Sequence, residues 1–159
     1  MLRTLSRAAT VVATVTTALT AVSGVAAAAP QSKGATTVTP SSLTSSVLQG
    51  LTGPASLSST GAVFGITGNP SSGVIKHVGG LRLAELNPAT PATSLTLSNL
   101  WIDAAKGTVS ALVDDGARVT VLTVGSGGVL SFTDAASRAV TGTSALTGAV
   151  AGTATIALR

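Results

Sequence analysis

The sequence predicts one mostly β domain, an antiparallel β-sandwich or barrel-like sandwich with one or two short helices. Short segments in which apolar and polar residues alternate recur from residue 62 to the C-terminus, as in half-buried strands. Gly, Asp and Pro residues separate these segments at intervals typical of antiparallel sheets. Two stretches that begin with a threonine and continue with Ser or Ala account for the helices.

The first 29 residues have the features of a secretory signal peptide. Arg3 and Arg7 form a basic segment, an uncharged run follows over Ala8–Val25, and Ala27–Ala29 fits the small-residue cleavage rule. A retained membrane anchor is the alternative, because the run is long enough to span a bilayer. Its many threonines make it only weakly hydrophobic, so we expect cleavage after residue 29 and no membrane span afterwards. The expected location is outside the cell, secreted or associated with the cell wall.

The composition excludes several kinds of site. The chain has no cysteine, which rules out disulfides, zinc–thiolate sites, iron–sulfur clusters and cysteine nucleophiles. Its net charge of +4 falls by two when Arg3 and Arg7 leave with the signal peptide, and the remaining basic residues are scattered singly. Nucleic-acid binding needs clustered Lys and Arg, often beside stacking aromatic residues. We therefore expect no nucleic-acid partner.

The N-terminal part of the exported chain predicts a lead-in, a helix and a strand. Residues 30–37 are small and polar and suggest a flexible lead-in to a domain over residues 38–159. A short helix is expected over Pro40–Gln49, with Thr39 as its N-cap and glycines beyond its end. Ala62–Thr67 alternates as a strand does.

A hairpin is expected next. Strands over Gly73–His77 and Leu81–Leu86 would meet at a turn formed by Gly79 and Gly80. This arrangement would place His77, the only histidine, near the turn.

The C-terminal half alternates more regularly. Thr93–Ile102 predicts a strand with Leu95, Leu97 and Asn99 on one face, and with Leu100 and Ile102 facing opposite to Trp101. The remaining expected elements follow in order: a loop at Asn87–Pro91, a strand around Val109–Val113, a hairpin turn at Asp114-Asp115-Gly116, strands at Arg118–Val124 and Val129–Phe132, a helix capped by Thr133, and a last strand at Thr153–Leu158.

Three short motifs carry a family resemblance: Phe64–Gly68 (FGITG), Ile75–Leu81 (IKHVGGL) and Asn99–Asp103 (NLWID). With them the chain resembles a largely uncharacterised group of exported β-rich proteins common in actinomycetes. Its layout is also distantly similar to the HtaA-type haem-uptake domain. That resemblance implies haem held by an axial tyrosine with histidine support. The chain has no tyrosine, so His77 is the only candidate iron ligand.

Three residues are candidates for ligand binding: His77, Trp101 and Arg82. His77 either ligates or contacts a ligand, or its ring ties the glycine turn to a neighbouring strand, and we favour the structural role. A zinc site there would need carboxylates or water to complete its shell. Trp101 is either an exposed binding anchor or packs beneath a helix, and we favour packing.

The sequence gives little support for catalysis. No G-x-S-x-G elbow is present, Asp114-Asp115-Gly116 lacks the further ligands of a calcium loop, and the glycine-rich turns lack a phosphate-loop lysine. We predict a non-enzymatic extracellular or cell-envelope protein without a cofactor, a structural or binding module with a cell-wall or protein partner. The alternative is a haem or small-ligand carrier that uses His77 in a cleft, and a hydrolase ranks third.

Overall fold

The structure is a computed structural model that describes residues 33–87 and 94–159. The predicted signal peptide, the first residues of the predicted lead-in and most of the loop at Asn87–Pro91 lie outside these residues. Strands dominate the described chain: β1 (Gly34–Pro40), β2 (Leu48–Thr52), β3 (Ser56–Ser58), β4 (Gly61–Gly65), β5 (Val74–Lys76), β6 (Gly80–Ala84), β7 (Ser94–Asp103), β8 (Thr108–Val113), β9 (Arg118–Val124), β10 (Val129–Phe132) and β11 (Val150–Leu158). Two helices accompany them, α1 (Ser42–Val47) and α2 (Asp134–Thr141).

All strand pairs are antiparallel and form one nearly closed, barrel-like sheet. Its order is β2-β6-β7-β8-β9-β10-β11-β1-β4-β3, with β5 also paired to β7. Beyond the end of β4, Ile66 forms an isolated bridge with His77, and the amide of Thr67 donates to the carbonyl of Lys76 at 2.9 Å. These bonds join the chain just after β4 to the end of β5, and they nearly close the sheet into a barrel. The predicted mostly β, barrel-like class with two short helices is confirmed.

The interior of the barrel is the hydrophobic core. Inward-facing side chains of the strands meet there, and Val47 of α1 and Val140 of α2 add to them. Among the buried apolar side chains are Phe64, Leu83, Leu95, Leu97, Leu100, Ile102, Val109, Val121, Leu130 and Phe132. Because strand side chains alternate between faces, the outer positions of the same strands are left to polar residues.

The N-terminal part of the domain differs from the prediction. β1 starts at Gly34 and lies between β11 and β4, so the expected lead-in over residues 30–37 is wrong from residue 34 onward. Small polar residues suit this strand because its partners supply ladder hydrogen bonds on both sides. The first helix is shorter than expected: Ser41 caps it in place of Thr39, and the chain from Leu48 onward is strand.

The expected hairpin of two paired strands is also wrong. β5 and β6 both pair with β7, at Asp103 to Trp101 and at Ser98 to Ser94 respectively. They therefore follow one another along the same edge of β7. The chain kinks between them, and β6 takes β2 as its second partner.

The kink requires glycine at positions 79 and 80, because neighbouring backbone segments come very close to both. A Cβ atom on Gly80 would lie 2.2 Å from the carbonyl oxygen of Leu97, and one on Gly79 would lie 2.8 Å from that of Thr52. Gly79 also has a φ of 86°, which side chains other than glycine rarely adopt. The pair thus lets the chain linking β2 and β3 pass directly over the kink.

A bulge in β7 resets which residues face the core. Ser98 pairs with Leu112 but Trp101 pairs with Ser110, so β7 carries one extra residue between them. Asn99 has a φ of 51° there, a left-handed conformation that Asn tolerates better than most residues. Leu100 is consequently buried and Asn99 is exposed, the reverse of the predicted faces at these two positions.

The C-terminal elements match the sequence closely. Thr133 accepts a hydrogen bond from the amide of Ala136 and so caps α2 as predicted. Asp114 and Asp115 have φ values of 48° and 57° and turn the chain from β8 to β9. The last strand is longer than expected, beginning at Val150.

Candidate functional site

His77 lies inside the barrel and links three strands. Its ring is 3% exposed. Nδ1 lies 3.0 Å from the carbonyl oxygen of Leu100 on β7, and Nε2 lies 2.7 Å from the hydroxyl of Thr36 on β1. Its own backbone pairs with Ile66 beyond β4. The ring therefore ties β1 and β7 together across the point where the barrel closes.

These contacts define the tautomer of the neutral His77 ring. A carbonyl oxygen can only accept, so Nδ1 carries the hydrogen and donates to Leu100. Nε2 then accepts from the Thr36 hydroxyl. Burial lowers the pKa of His77 from its ordinary value of 6.5, and the hydrogen bond to Leu100 raises it by a smaller amount. The ring is neutral in the folded protein, with both nitrogens occupied.

The space beside His77 does not fit haem. The cavity there has a volume of about 40 Å³ and is lined by Phe64, Leu100, Leu130 and other side chains of the barrel interior. Sites for drug-sized ligands occupy roughly 300–1,000 Å³. A ligand to Nε2 would also have to displace Thr36, which is itself 2% exposed. The favoured interpretation of His77 as a structural residue agrees with this geometry.

Trp101 lies on the outer face of β7, directly after the buried Leu100 at the end of the bulge. Its indole is half-buried and lies beneath two cationic groups. The Nζ of Lys76 is 4.4 Å from the ring centroid, and the guanidinium carbon of Arg118 is 3.8 Å from it. Both distances fall in the range of cation–π attraction. The expectation that Trp101 packs beneath a helix is wrong, because these two side chains cover it instead.

The two cations reach the indole from opposite sides of β7. Lys76 is the direct cross-strand partner of Trp101 on β5, whereas Arg118 comes from β9, beyond β8. Trp101 and Ser110 are paired across β7 and β8. We call Lys76, Trp101 and Arg118 the outer-face cluster.

Backbone and hydroxyl acceptors fix the guanidinium of Arg118 in this cluster. Its Nη1 donates to the carbonyl of Asn99 at 2.9 Å and to the carbonyl and hydroxyl of Ser110 at 3.2 and 3.3 Å. The Asn99 carbonyl is available because the bulge turns it out of the ladder. Partial burial lowers the pKa of Arg118, which leaves it cationic at neutral pH.

Neighbouring carboxylates are committed to the fold. Asp114 accepts from the amide of Thr96 at 2.8 Å, and Asp115 accepts from the hydroxyl of Ser98 at 2.8 Å. These bonds anchor the β8–β9 turn on β7. Within residues 33–87 and 94–159, no carboxylate appears among the hydrogen-bond or ion-pair partners of Lys76 and Arg118.

The structure separates the three predicted ligand-binding residues. His77 faces the interior and Trp101 the exterior. Arg82 lies on β6, paired in register with Thr96 and Gly50, and its side chain is exposed. Arg82 is not part of the outer-face cluster. Sequence reasoning missed Lys76 and Arg118, although alternation along β9 puts Arg118 on the outer face with Thr120.

The described chain has neither a metal-binding cluster nor a membrane-spanning helix. That part of the protein contains no group of three or more His, Cys, Asp or Glu side chains placed to hold a metal ion. Neither helix there has the length and apolarity that crossing a membrane requires. No family model, curated protein or solved structure matches the sequence or the fold. The resemblances to exported actinomycete proteins and to the haem-uptake domain stay predictions.

Proposed function

We propose that this protein is an exported, non-enzymatic binding module of the cell exterior or envelope, and that its outer-face cluster binds an anionic ligand. The observation that carries the proposal is the pair of cations, Lys76 and Arg118, held over one half-buried indole. Two positive groups at one place on a sparsely charged chain, without a carboxylate between them, favour a ligand that brings negative charge.

The arrangement of Arg118 supports this ligand class. In the described chain its hydrogen bonds all use Nη1, so Nε and Nη2 remain to donate to a ligand. Such a pair of donors matches the two oxygens of a carboxylate or phosphate. Because the guanidinium is already ordered by the strand, binding would cost less side-chain entropy than on a mobile arginine.

Several contacts support a role without catalysis. The histidine is neutral and sequestered from solvent, and the carboxylates Asp114 and Asp115 hold a turn. General acid–base catalysis needs a titratable group that can reach the substrate. His77, Asp114 and Asp115 are instead engaged in hydrogen bonds of the fold.

Intrinsic fluorescence offers a direct test, because Trp101 is the only tryptophan. Purified protein would be titrated with poly-L-glutamate as a carboxylate probe, polyphosphate as a phosphate probe, and dextran as a neutral polymer. We expect a saturable change in tryptophan emission with at least one polyanion and none with dextran. The apparent affinity should fall as salt is added, since the attraction is screened.

A matched pair of double variants makes the test specific. K76Q/R118Q removes two positive charges from the cluster, and K106Q/R138Q removes two from cations that already pair with Asp103 and Asp134. We expect at least tenfold weaker binding in the first and little change in the second. Equal weakening in both double variants would mean that net charge alone accounts for the binding, and it would contradict a binding site at Lys76 and Arg118. R82Q, tested alongside, should bind as the wild type does.

Export is tested separately. The full-length chain would be expressed in a Gram-positive host, and the medium, wall and cell fractions would be probed. N-terminal sequencing should give Pro30 as the first residue of the exported form. Protein that stays with the membrane and keeps its first residues would support the anchor alternative.

A further inference from the structure

We propose that the barrel contains a second, independent site that binds a small neutral apolar molecule in the cavity beneath α2. This cavity has a volume of about 220 Å³. Its lining shares only Leu122 with the cavity beside His77. The inference does not depend on the outer-face cluster.

The lining of the cavity is entirely apolar. Leu95 and Leu97 of β7 and Phe132 of β10 form walls, and Ala136 and Ala139 of α2 cover it. A cavity without polar groups does not hold ordered water well, because a buried water needs two to four hydrogen-bond partners. Its wall atoms therefore lack contacts that an apolar ligand would supply.

Hydrogen bonds in the C-terminal half of α2 fix the helix over the cavity. The buried hydroxyl of Ser137 donates to the carbonyl of Thr143 at 2.8 Å and accepts from the amide of Leu146 at 2.8 Å. The amide of Leu86 donates to the carbonyl of Val140. An inward shift of the helix would break its bond to Leu86, and the small side chains of Ala136 and Ala139 leave the space beneath them unfilled.

The size of the cavity indicates the class of ligand. An apolar protein cavity of about 150 Å³ is large enough to bind benzene, whereas pockets for drug-sized molecules start at roughly 300 Å³. The space beneath α2 thus suits a single ring, two fused rings or a short branched hydrocarbon. A charged ligand is excluded because it would be buried without a partner. Ala135 belongs to the lining and is exposed, which marks the solvent side from which a ligand would enter.

Methyl NMR of the purified protein tests this site. Benzene would be titrated to its solubility limit while the methyl signals of Leu83, Leu95 and Val140 are followed. We expect saturable shifts of these methyl groups and no change in the indole signal of Trp101. Absence of saturable shifts in the wild type would overturn the proposal.

Two variants of α2 and its turn provide the control. A139L fills the cavity from the helix, whereas A145L adds the same side chain at an exposed position beyond α2. We expect benzene affinity to fall at least tenfold in A139L and to remain within twofold in A145L. If A139L does not fold, V113L narrows the cavity from β8 and should weaken binding in the same direction. Undiminished binding in a folded cavity-filling variant would place benzene elsewhere and refute the site.

Discussion

The two faces of β7 use polar residues in opposite ways within a few residues of the bulge. On the inner face, His77 has both ring nitrogens occupied, by Leu100 and Thr36. On the outer face, Lys76 and Arg118 lie over the ring of Trp101. The described hydrogen bonds of Arg118 use only Nη1, so its Nε and Nη2 remain to donate. The difference shows that the most conspicuous residue of the sequence supports the fold, while the proposed binding site consists of less conspicuous ones.

The bulge at Asn99 makes this division possible. It places Leu100 in the core and Trp101 outside, and it frees the Asn99 carbonyl for Arg118. One extra residue in a strand thus serves the interior and the exterior at once.

The largest effect is expected at the kink that carries His77. Gly80→Ala would place a Cβ 2.2 Å from the Leu97 carbonyl oxygen. The backbone of Leu97 cannot move away without breaking hydrogen bonds between β6 and β7. We expect a loss of about 3 kcal/mol or more in the free energy of unfolding. Gly50→Ala, where a Cβ meets nothing within 4 Å, should change it by less than about 1 kcal/mol. Urea denaturation followed by far-UV circular dichroism measures both, and equal losses would contradict the packing described.

His77→Ala should have the next largest effect. It leaves the Thr36 hydroxyl without its partner, removes one of the two hydrogen bonds that the Leu100 carbonyl accepts from His77, and opens a cavity, at a cost of about 2–4 kcal/mol. The same denaturation experiment gives this value. A loss below about 1 kcal/mol would show that the ring does not hold the barrel closed.

The pH dependence of stability reports the same residue. Burial lowers the pKa of folded His77, while the unfolded chain titrates near the ordinary value of 6.5. Below that value the unfolded state binds a proton that the folded state does not, so the folded state loses stability as the pH falls. The stability from His77 is therefore complete above pH 6.5. His77→Ala should be less sensitive between pH 7 and 5 than the wild type, and an equal slope would contradict the buried neutral ring.

A moderate effect is expected from Thr36→Val. The variant keeps the shape of the side chain but removes the hydroxyl that donates to Nε2, which costs about 1–3 kcal/mol. Thr39→Val, at an exposed position of the same strand, should change stability by less than about 0.5 kcal/mol. In a double-mutant cycle with His77→Ala, Thr36→Val should add little, because its partner is already gone.

The smallest effect concerns the bulge. Asn99→Ala must adopt a φ of 51°, which costs about 1–2 kcal/mol in the left-handed region. Asn99→Gly should stay within about 0.5 kcal/mol of the wild type, since glycine accepts this φ freely. Thermal denaturation distinguishes the two. If the glycine variant were the less stable one, the Asn99 side chain would matter more than its backbone conformation.

Sequence patterns were sufficient to predict the fold class and the elements that depend on neighbouring residues. Alternation in Val109–Val113 and Arg118–Val124 predicts β8 and β9, the Asp114-Asp115-Gly116 turn joins them, and Thr133 caps α2. In each case the stabilising contacts lie within a few residues of one another, so composition and spacing carry the information. The structural role favoured for His77 also agrees with the structure.

Strand pairing, and the side-chain contacts across it, depend on how the whole chain folds. A period of two does not state the partner of a strand, so the sequence predicts β5 and β6 on either side of a glycine turn but not their shared pairing with β7. The extra residue at Asn99 is visible only in the register against β8, and it changes the faces of every residue after it. Lys76 and Arg118 are 42 positions apart, and they meet on Trp101 because the sheet brings β5 and β9 to the two sides of β7.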